Sequence, residues 1–153
     1  MITMKTKYAL KALAYLAMAP PGGPVLIAEV ADREGIPRKF LELILAELKT
    51  HGFVRSKKGR GGGYFLSMAP QKIQLAQVMR VLDGPIAPVP CLSRTSYRKC
   101  EGCKDEATCG IRLVLQELYE ASVKILEATT LEDLVERTRR ASAQGPPLMR
   151  YYI

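Results

Sequence analysis

Four glycines in five residues, Gly59 and Gly61 to Gly63, interrupted only by Arg60, leave the backbone little choice but a tight turn. Two short runs flank it, Phe53-Val54-Arg55-Ser56 and Gly63-Tyr64-Phe65-Leu66, and such a pair around a Gly-rich loop predicts a β-hairpin. The segment is also basic. From Thr50 to Tyr64 it carries Arg55, Lys57, Lys58 and Arg60 and no acid. A phosphate-cradling P-loop would need Gly-Lys-Ser/Thr leading into a helix, and neither is present. A plain turn has no use for Lys57, Lys58 and Arg60 unbalanced by acids. A wing tip, with Gly61 and Gly62 at its apex, lying against a phosphate backbone or minor groove accounts for the glycines and the cations together.

What precedes the hairpin supports that reading. Thr6 to Ala19 is dense in Ala, Leu and Met and predicts a mostly buried helix, broken by Pro20-Pro21-Gly22-Gly23-Pro24. Leu26 to Glu34 predicts a short helix. Gly35-Ile36-Pro37 is a tight connection, with Pro37 suited to the first position of the next helix. That helix, Arg38 to His51, has Leu41, Ile44, Leu45 and Leu48 as its core stripe, and Gly52 ends it. Helix, helix, tight turn, helix and hairpin is the order of a winged helix-turn-helix. At 100° per residue, Arg38, Lys39, Glu42, Ala46 and Lys49 share one sector of about 100° on the opposite side from the apolar stripe. Two cations at a helix N-terminus suit entry into a major groove, with Arg38 placed for guanine and Glu42 for a cytosine amino group. An acid on such a face must either read a base or hold an arginine in place.

Composition agrees with an anionic partner. The chain has 153 residues, the size of one ordinary domain, with 48% hydrophobic and 25% charged residues. Its net charge is +8, with nucleic acid favoured over anionic membrane as partner. The charge is uneven: residues 1–70 carry a net +6 and residues 71–153 a net +2. No apolar run reaches about 18 residues, and Lys5, Lys7 and Lys11 break up the N-terminal apolar stretch, so neither a spanning helix nor a signal peptide is expected. The reading is a cytoplasmic protein with no membrane partner. One His in the whole chain and no Ser/His/Asp set argue against an enzyme. An electron carrier would have no need of a basic winged helix.

The second half differs in kind. Gln71 to Leu82 predicts a helix, and Pro85 to Cys109 has little regular pattern. Ile111 to Ala128 predicts the longest helix, with Ile111, Leu115, Leu118, Ser122 and Ile125 spaced as a heptad seam. Thr130 caps a last helix through Asp133, and residues after Ala141 read as a loose tail. The expected organisation is a winged-helix domain over 1–83, a cysteine-bearing loop over 84–110, helices over 111–142 whose seam is either a core face or a dimerisation surface, and a tail over 143–153. The fold class is mainly α with one small β-hairpin. Cys91, Cys100, Cys103 and Cys109 fall within 19 residues. In a reducing compartment these are not structural disulfides, and both zinc and an iron–sulfur cluster take four thiolates. Spacing alone leaves both open, with free thiols as the third reading.

Ile36-Pro37 leading to Phe40-Leu41-Glu42 and Leu48, then Gly52-Phe53-Val54, then Gly59 and Gly61-Gly62-Gly63-Tyr64 with Leu66, resembles the Rrf-two family of bacterial winged-helix repressors and activators. The resemblance runs from about Met4 to Leu134. It implies a homodimer, joined through a long helix near the C-terminus, that binds a palindromic operator in double-stranded DNA. It also implies an iron–sulfur cluster, 2Fe–2S or 4Fe–4S, whose state controls operator binding in response to redox change, nitric oxide or iron. Cys91, Cys103 and Cys109 match the family's cysteine pattern, with a longer first gap. The family's fourth ligand, a His after the last cysteine or a residue of the first helix, has no match here: Arg112, Lys7 and Lys11 occupy those places. Cys100, the extra thiol, becomes the candidate fourth ligand. A zinc- or thiol-dependent regulator of the same fold is the alternative.

Overall fold

The computed structural model describes residues 2–20 and 23–144. Its first helix, α1 (Met4–Met18), starts two residues earlier than its composition suggests, because the Thr3 side chain accepts the Thr6 N–H and caps it. It buries Ala9, Ala12, Leu13 and Leu16. Helices α2 (Ile27–Glu34) and α3 (Arg38–Thr50) follow, and α3 buries Leu41, Ile44, Leu45 and Leu48 completely. Pro37 lies one place outside the expected position: it is the N-cap of α3, and its carbonyl accepts the N–H groups of Phe40 and Leu41 at 3.0 Å.

The hairpin pairs β1 (Val54–Lys57) with β2 (Gly63–Leu66), Val54 opposite Leu66 and Lys57 opposite Gly63. A third segment joins it: Val25 and Tyr64 exchange both backbone hydrogen bonds at 2.8 Å. This pairing requires glycine at position 63, and the tightness of the turn itself requires it at position 62. A Cβ on Gly63 would sit 2.2 Å from the Val25 carbonyl oxygen, and one on Gly62 would sit 2.3 Å from that of Lys57.

The expected helix over Gln71–Leu82 is divided. A 3₁₀ turn at Pro70–Lys72 is followed by extended Ile73 and Gln74, and only then by α4 (Leu75–Asp83). The cause is tertiary. Ile73 is fully buried, its carbonyl accepts the Leu131 N–H at 2.8 Å, and the Leu75 N–H donates to the Thr129 carbonyl at 3.0 Å. A short ladder with residues 129–131 takes the hydrogen bonds that a continuous helix would have made.

Helix α5 (Gly110–Ala128) is the longest, and α6 (Leu131–Gln144) runs past Ala141, where a tail was expected. The rest of the expected tail lies outside the described residues. Helix α6, grouped with α5 in the sequence reading, does not extend it: Leu131 and Val135 join the principal core with Leu13, Leu41 and Leu48. A second, smaller core gathers Cys91, Leu92, Tyr119 and Val123.

The expected Thr130–Asp133 cap is present. The Asp133 carboxylate accepts from the Thr130 N–H at 2.8 Å and hydroxyl at 2.7 Å, while Thr130 Oγ1 accepts the Asp133 N–H at 3.2 Å. Those two donors, N–H first, hold the Asp133 carboxyl below the usual carboxylate range. Thr130→Ala should therefore lower stability in urea at pH 7 by about 1 kcal/mol. A carboxyl whose folded pKa is depressed contributes above its unfolded pKa and loses that contribution as pH falls through the folded value. The difference between wild type and Thr130→Ala should accordingly narrow below about pH 4, and a constant difference from pH 7 to pH 3 would contradict the assignment.

Candidate nucleic-acid interface and cysteine loop

The face of α3 left outside by its buried stripe carries Arg38, Lys39, Glu42, Ala46 and Lys49, all exposed. Arg38 Nε lies 3.5 Å from Glu42 Oε1, one turn along the helix, so the acid holds the arginine in place. At the far end of the face, Lys49 Nζ donates to Ser56 Oγ at 2.7 Å, tying α3 to β1. Lys57, Lys58 and Arg60 are exposed beyond it, Gly61 is exposed at the apex, and Gly62 is buried under the turn. The fold thus brings the DNA-reading residues expected from sequence onto adjoining surfaces of α3 and the hairpin. The chain between α1 and the hairpin braces them from behind through Val25 and Tyr64.

Buttressing explains how the face is presented. Lys5 of α1 reaches across to Glu47 of α3 at 2.7 Å and to the Leu82 carbonyl at 3.3 Å. Lys11 of α1 pairs with Glu34 at the end of α2, at 3.3 Å. Glu47 and Glu34 are thus each matched by a lysine of α1, and Glu29 accepts from the Tyr15 hydroxyl at 2.8 Å. The N-terminus is tied down as well: Thr3 donates its N–H to Asp83 at 3.0 Å and its hydroxyl at 2.5 Å. Burial pushes the Asp83 carboxyl up, but these bonds and nearby Lys5 outweigh it and hold the group below the usual range.

The cysteine loop runs from a 3₁₀ turn at Pro90–Leu92 to the start of α5. Cys91 is buried and Cys100, Cys103 and Cys109 are partly exposed; none is in a disulfide. Cys100 packs against the small core that holds Cys91. Burial, the neighbouring Cys100 and the Glu106 carboxylate push the Cys91 thiol up, and Arg112 opposes them. Cys103 follows on a turn closed by its N–H to the Cys100 carbonyl at 3.2 Å, and Cys109 is the N-cap of α5. Among the described residues, no three thiol, imidazole or carboxylate groups converge as a ready-made metal cage. A shallow cleft of about 290 Å³ opens at Cys91, bounded by Arg94, Tyr97, Arg112 and Tyr119. Tyr97 donates to Glu106 Oε1 at 2.6 Å, a bond that raises the phenol's pKa. Arg112 lies 3.8 Å from the other oxygen of Glu106, and its buried Nε has no hydrogen-bond partner.

Helix α5 divides the expected seam between two surfaces. Leu115 and Ser122 are half-buried and turn toward the chain's own core beside Tyr119 and Val123. The free stripe instead runs through Ile111, Val114, Leu118 and Ile125, which are 72%, 69%, 57% and 61% exposed. Those positions follow heptad spacing. No helix among the described residues is long and apolar enough to cross a membrane.

The family model for Rrf2, described as an iron-dependent transcriptional regulator, matches residues 2–137. The chain belongs to the Rrf2 family. A Rhodobacter capsulatus relative named as an rrf2-like HTH-type transcriptional regulator is 47% identical, the match covering 88% of this chain and 92% of that protein. The HTH-type transcriptional regulator IscR of Photorhabdus laumondii is 31% identical, over 94% of this chain and 84% of its own length. Among solved structures, CymR, titled the global cysteine regulator of B. subtilis, superposes with a TM-score of 0.75 at 30% identity, covering 90% of this chain and 97% of that one. This Rrf2-family chain is accordingly a transcriptional regulator with a winged-helix fold, and not an enzyme.

Two elements of the Rrf2 surface escaped the sequence reading. The Val25–Tyr64 pairing has no local signal, since Val25 follows a Pro/Gly break and pairs across 39 positions. Leu43 looks like a core residue by type, yet it stands on the outer side of α3 and is 68% exposed.

Proposed function

We propose that the chain acts as a homodimer that binds a palindromic DNA operator, and that its cysteine loop sets the affinity. The observation that carries the DNA reading is the cationic face of α3 bonded through Lys49 to a basic hairpin. Arg38 and Lys39 read base edges in the major groove with Glu42 holding Arg38, Lys49 borders the groove, and Lys57, Lys58 and Arg60 meet phosphates, with Gly61 and Gly62 letting the backbone approach. The Arg38–Glu42 pair gives the guanidinium one orientation before DNA arrives, which lowers the entropy lost on docking. The exposed stripe on α5 is the surface by which two copies place their recognition helices one helical turn apart.

For the sensor, the donor set suits a thiolate-ligated iron–sulfur cluster. Four soft thiols lie within 19 residues, and the Arg112 guanidinium, whose buried Nε makes no hydrogen bond and lies 3.8 Å from Glu106, stands near Cys91, where it would offset a cluster's negative charge. Cys91, Cys103 and Cys109 would hold it, with Cys100 as the fourth ligand. Ligation by all four requires the turn over 100–109 to close on Cys91. When bound, such a group supplies a centre whose charge and integrity respond to electrons, oxygen or nitric oxide. The family's description as iron-dependent and the likeness to IscR support this reading. The contact between Cys91 and Cys100 favours a second one, in which the thiols themselves, or zinc, carry the signal.

Anaerobic purification with iron, sulfide and zinc counts, a visible spectrum and operator affinity separates the two. The cluster reading expects a visible chromophore, iron and sulfide in the preparation, and their loss in Cys91→Ala, Cys103→Ala and Cys109→Ala together with a changed operator affinity. Retention of iron in Cys100→Ala would assign the fourth ligand elsewhere. Stoichiometric zinc, or no metal with thiol-oxidant-sensitive binding, would overturn the cluster and leave the DNA reading standing. Control also requires that the two loop states favour different dimer geometries, because a signal that stabilises both equally shifts nothing.

A further inference from the structure

We infer that Leu43 reads the C5-methyl group of a thymine in each operator half-site, an inference that rests on the DNA-binding role proposed for α3. Leu43 is the most exposed large apolar side chain in the winged-helix half among the described residues, at 68%. The core does not need it: α3 already buries Leu41, Ile44, Leu45 and Leu48 completely. A lone exposed leucine is ordinary on a protein surface, so its position matters more than its exposure.

Leu43 stands about 40° beyond Lys39 on the helix, one turn from both Lys39 and Ala46. The two exposed apolar side chains, Leu43 and Ala46, make a small patch on a face otherwise formed by Arg38, Lys39, Glu42 and Lys49. Glu42, the acid on that face, is engaged by Arg38 at 3.5 Å. The surroundings are therefore cationic and complementary to a polyanion, while Leu43 itself offers no donor, acceptor or charge. In a major groove the thymine methyl is the one base substituent that such a side chain satisfies. Opposite a cytosine amino group or the guanine O6 and N7 acceptors, the same leucine would strip water from polar atoms and return no hydrogen bond. Leu43 thus selects by contact with one base pair and by exclusion of others, a complement to the polar readout of Arg38.

The test starts by selecting preferred duplexes from a random pool with the full-length chain. Each thymine of the selected half-site is then replaced, symmetrically in both halves, by deoxyuridine, which removes the methyl and nothing else. At one thymine position the wild type should lose about fourfold in affinity per methyl, the worth of one buried methylene, or about sixteenfold for the symmetric pair. Leu43→Ala should bind thymine and deoxyuridine duplexes alike, and Leu43→Met should restore much of the difference. Because the side chain is exposed, Leu43→Ala should unfold at the same temperature as wild type. If wild type is indifferent to every deoxyuridine change, or Leu43→Ala keeps the full difference, Leu43 does not read a methyl group. If no preferred duplex emerges from the selection, the operator reading of α3 fails and takes this one with it.

Discussion

Replacing Val114 and Leu118 together by glutamate is expected to yield folded monomers and to weaken operator binding by about a thousandfold or more. Both side chains are more than half exposed in the single chain, so the substitutions disturb neither core. In a dimer joined along α5 they would place like charges and unpaired carboxylates within an apolar seam, which is strongly unfavourable. A monomer reads one half-site only. It forfeits the second set of base contacts and the effective concentration that the partner supplies, and it falls toward the affinity of non-specific binding, about 10³-fold or more below the specific complex. Sedimentation or light scattering reports the mass, circular dichroism the fold, and a binding titration the affinity. Dimers that survive the double change would move the interface off this stripe. The comparison with Leu115→Glu is informative, because Leu115 packs inward and its replacement should lower the unfolding temperature.

Removing the wing cations should act differently. With Lys57, Lys58 and Arg60 all changed to Ala, affinity should fall for every DNA sequence alike, and the plot of log affinity against log salt should become shallower by about five for a dimer. Six phosphate contacts would be lost, each contributing about 0.9 to the slope. Arg38→Ala should instead leave the slope nearly intact and relax preference at one base pair, at about 1–3 kcal/mol. The separate variant Gly63→Ala tests the shape of the wing with its charge intact. Its φ of +146° and the 2.2 Å approach of its would-be Cβ to Val25 mean that the backbone must move, at a conformational cost of roughly 1–3 kcal/mol before the clash is counted. Weak binding by Gly63→Ala, with a slope as shallow as that of the triple variant, would show that the cations need the turn to reach the phosphates. An unaltered slope in the triple variant would remove those residues from the DNA.

The elements that local chemistry dictates were legible in the chain: the hairpin from its glycines, α3 from its apolar stripe, and α6 from the Thr130–Asp133 cap. The basic face of α3 and hairpin was legible too, since charge and 3.6-residue periodicity place it without tertiary knowledge. What was not legible depends on distant partners. The break at Ile73 and Gln74 exists because residues 129–131 pair there, and no property of Gln71–Leu82 signals it. The seam on α5 reads from sequence as either a core face or a dimer interface, because Leu115 and Val114 are equal candidates for burial until a second core turns Leu115 inward and leaves Val114 outside. The cysteines were recognisable by density, while their grouping depends on loop geometry: the chain brings Cys91 against Cys100 and sets Cys103 and Cys109 on separate turns.

The ladder at residues 73–75 and 129–131 does more than divide a helix. It clamps the C-terminal end of α5 to the winged-helix unit, while the other end, at Gly110, continues from the cysteine loop and leads into the small core through Tyr119 and Val123. Nineteen residues of helix make a rigid rod about 28 Å long, anchored at one end. A tilt of about 5° around Thr129 would carry the Cys109 end through about 2.5 Å. Lever arithmetic of this kind means that a chemical event confined to a few sulfur atoms need not push on the DNA-binding domain at all. In the dimer proposed above, it would need only to change the angle between the two α5 helices, and the heads they carry would turn with them.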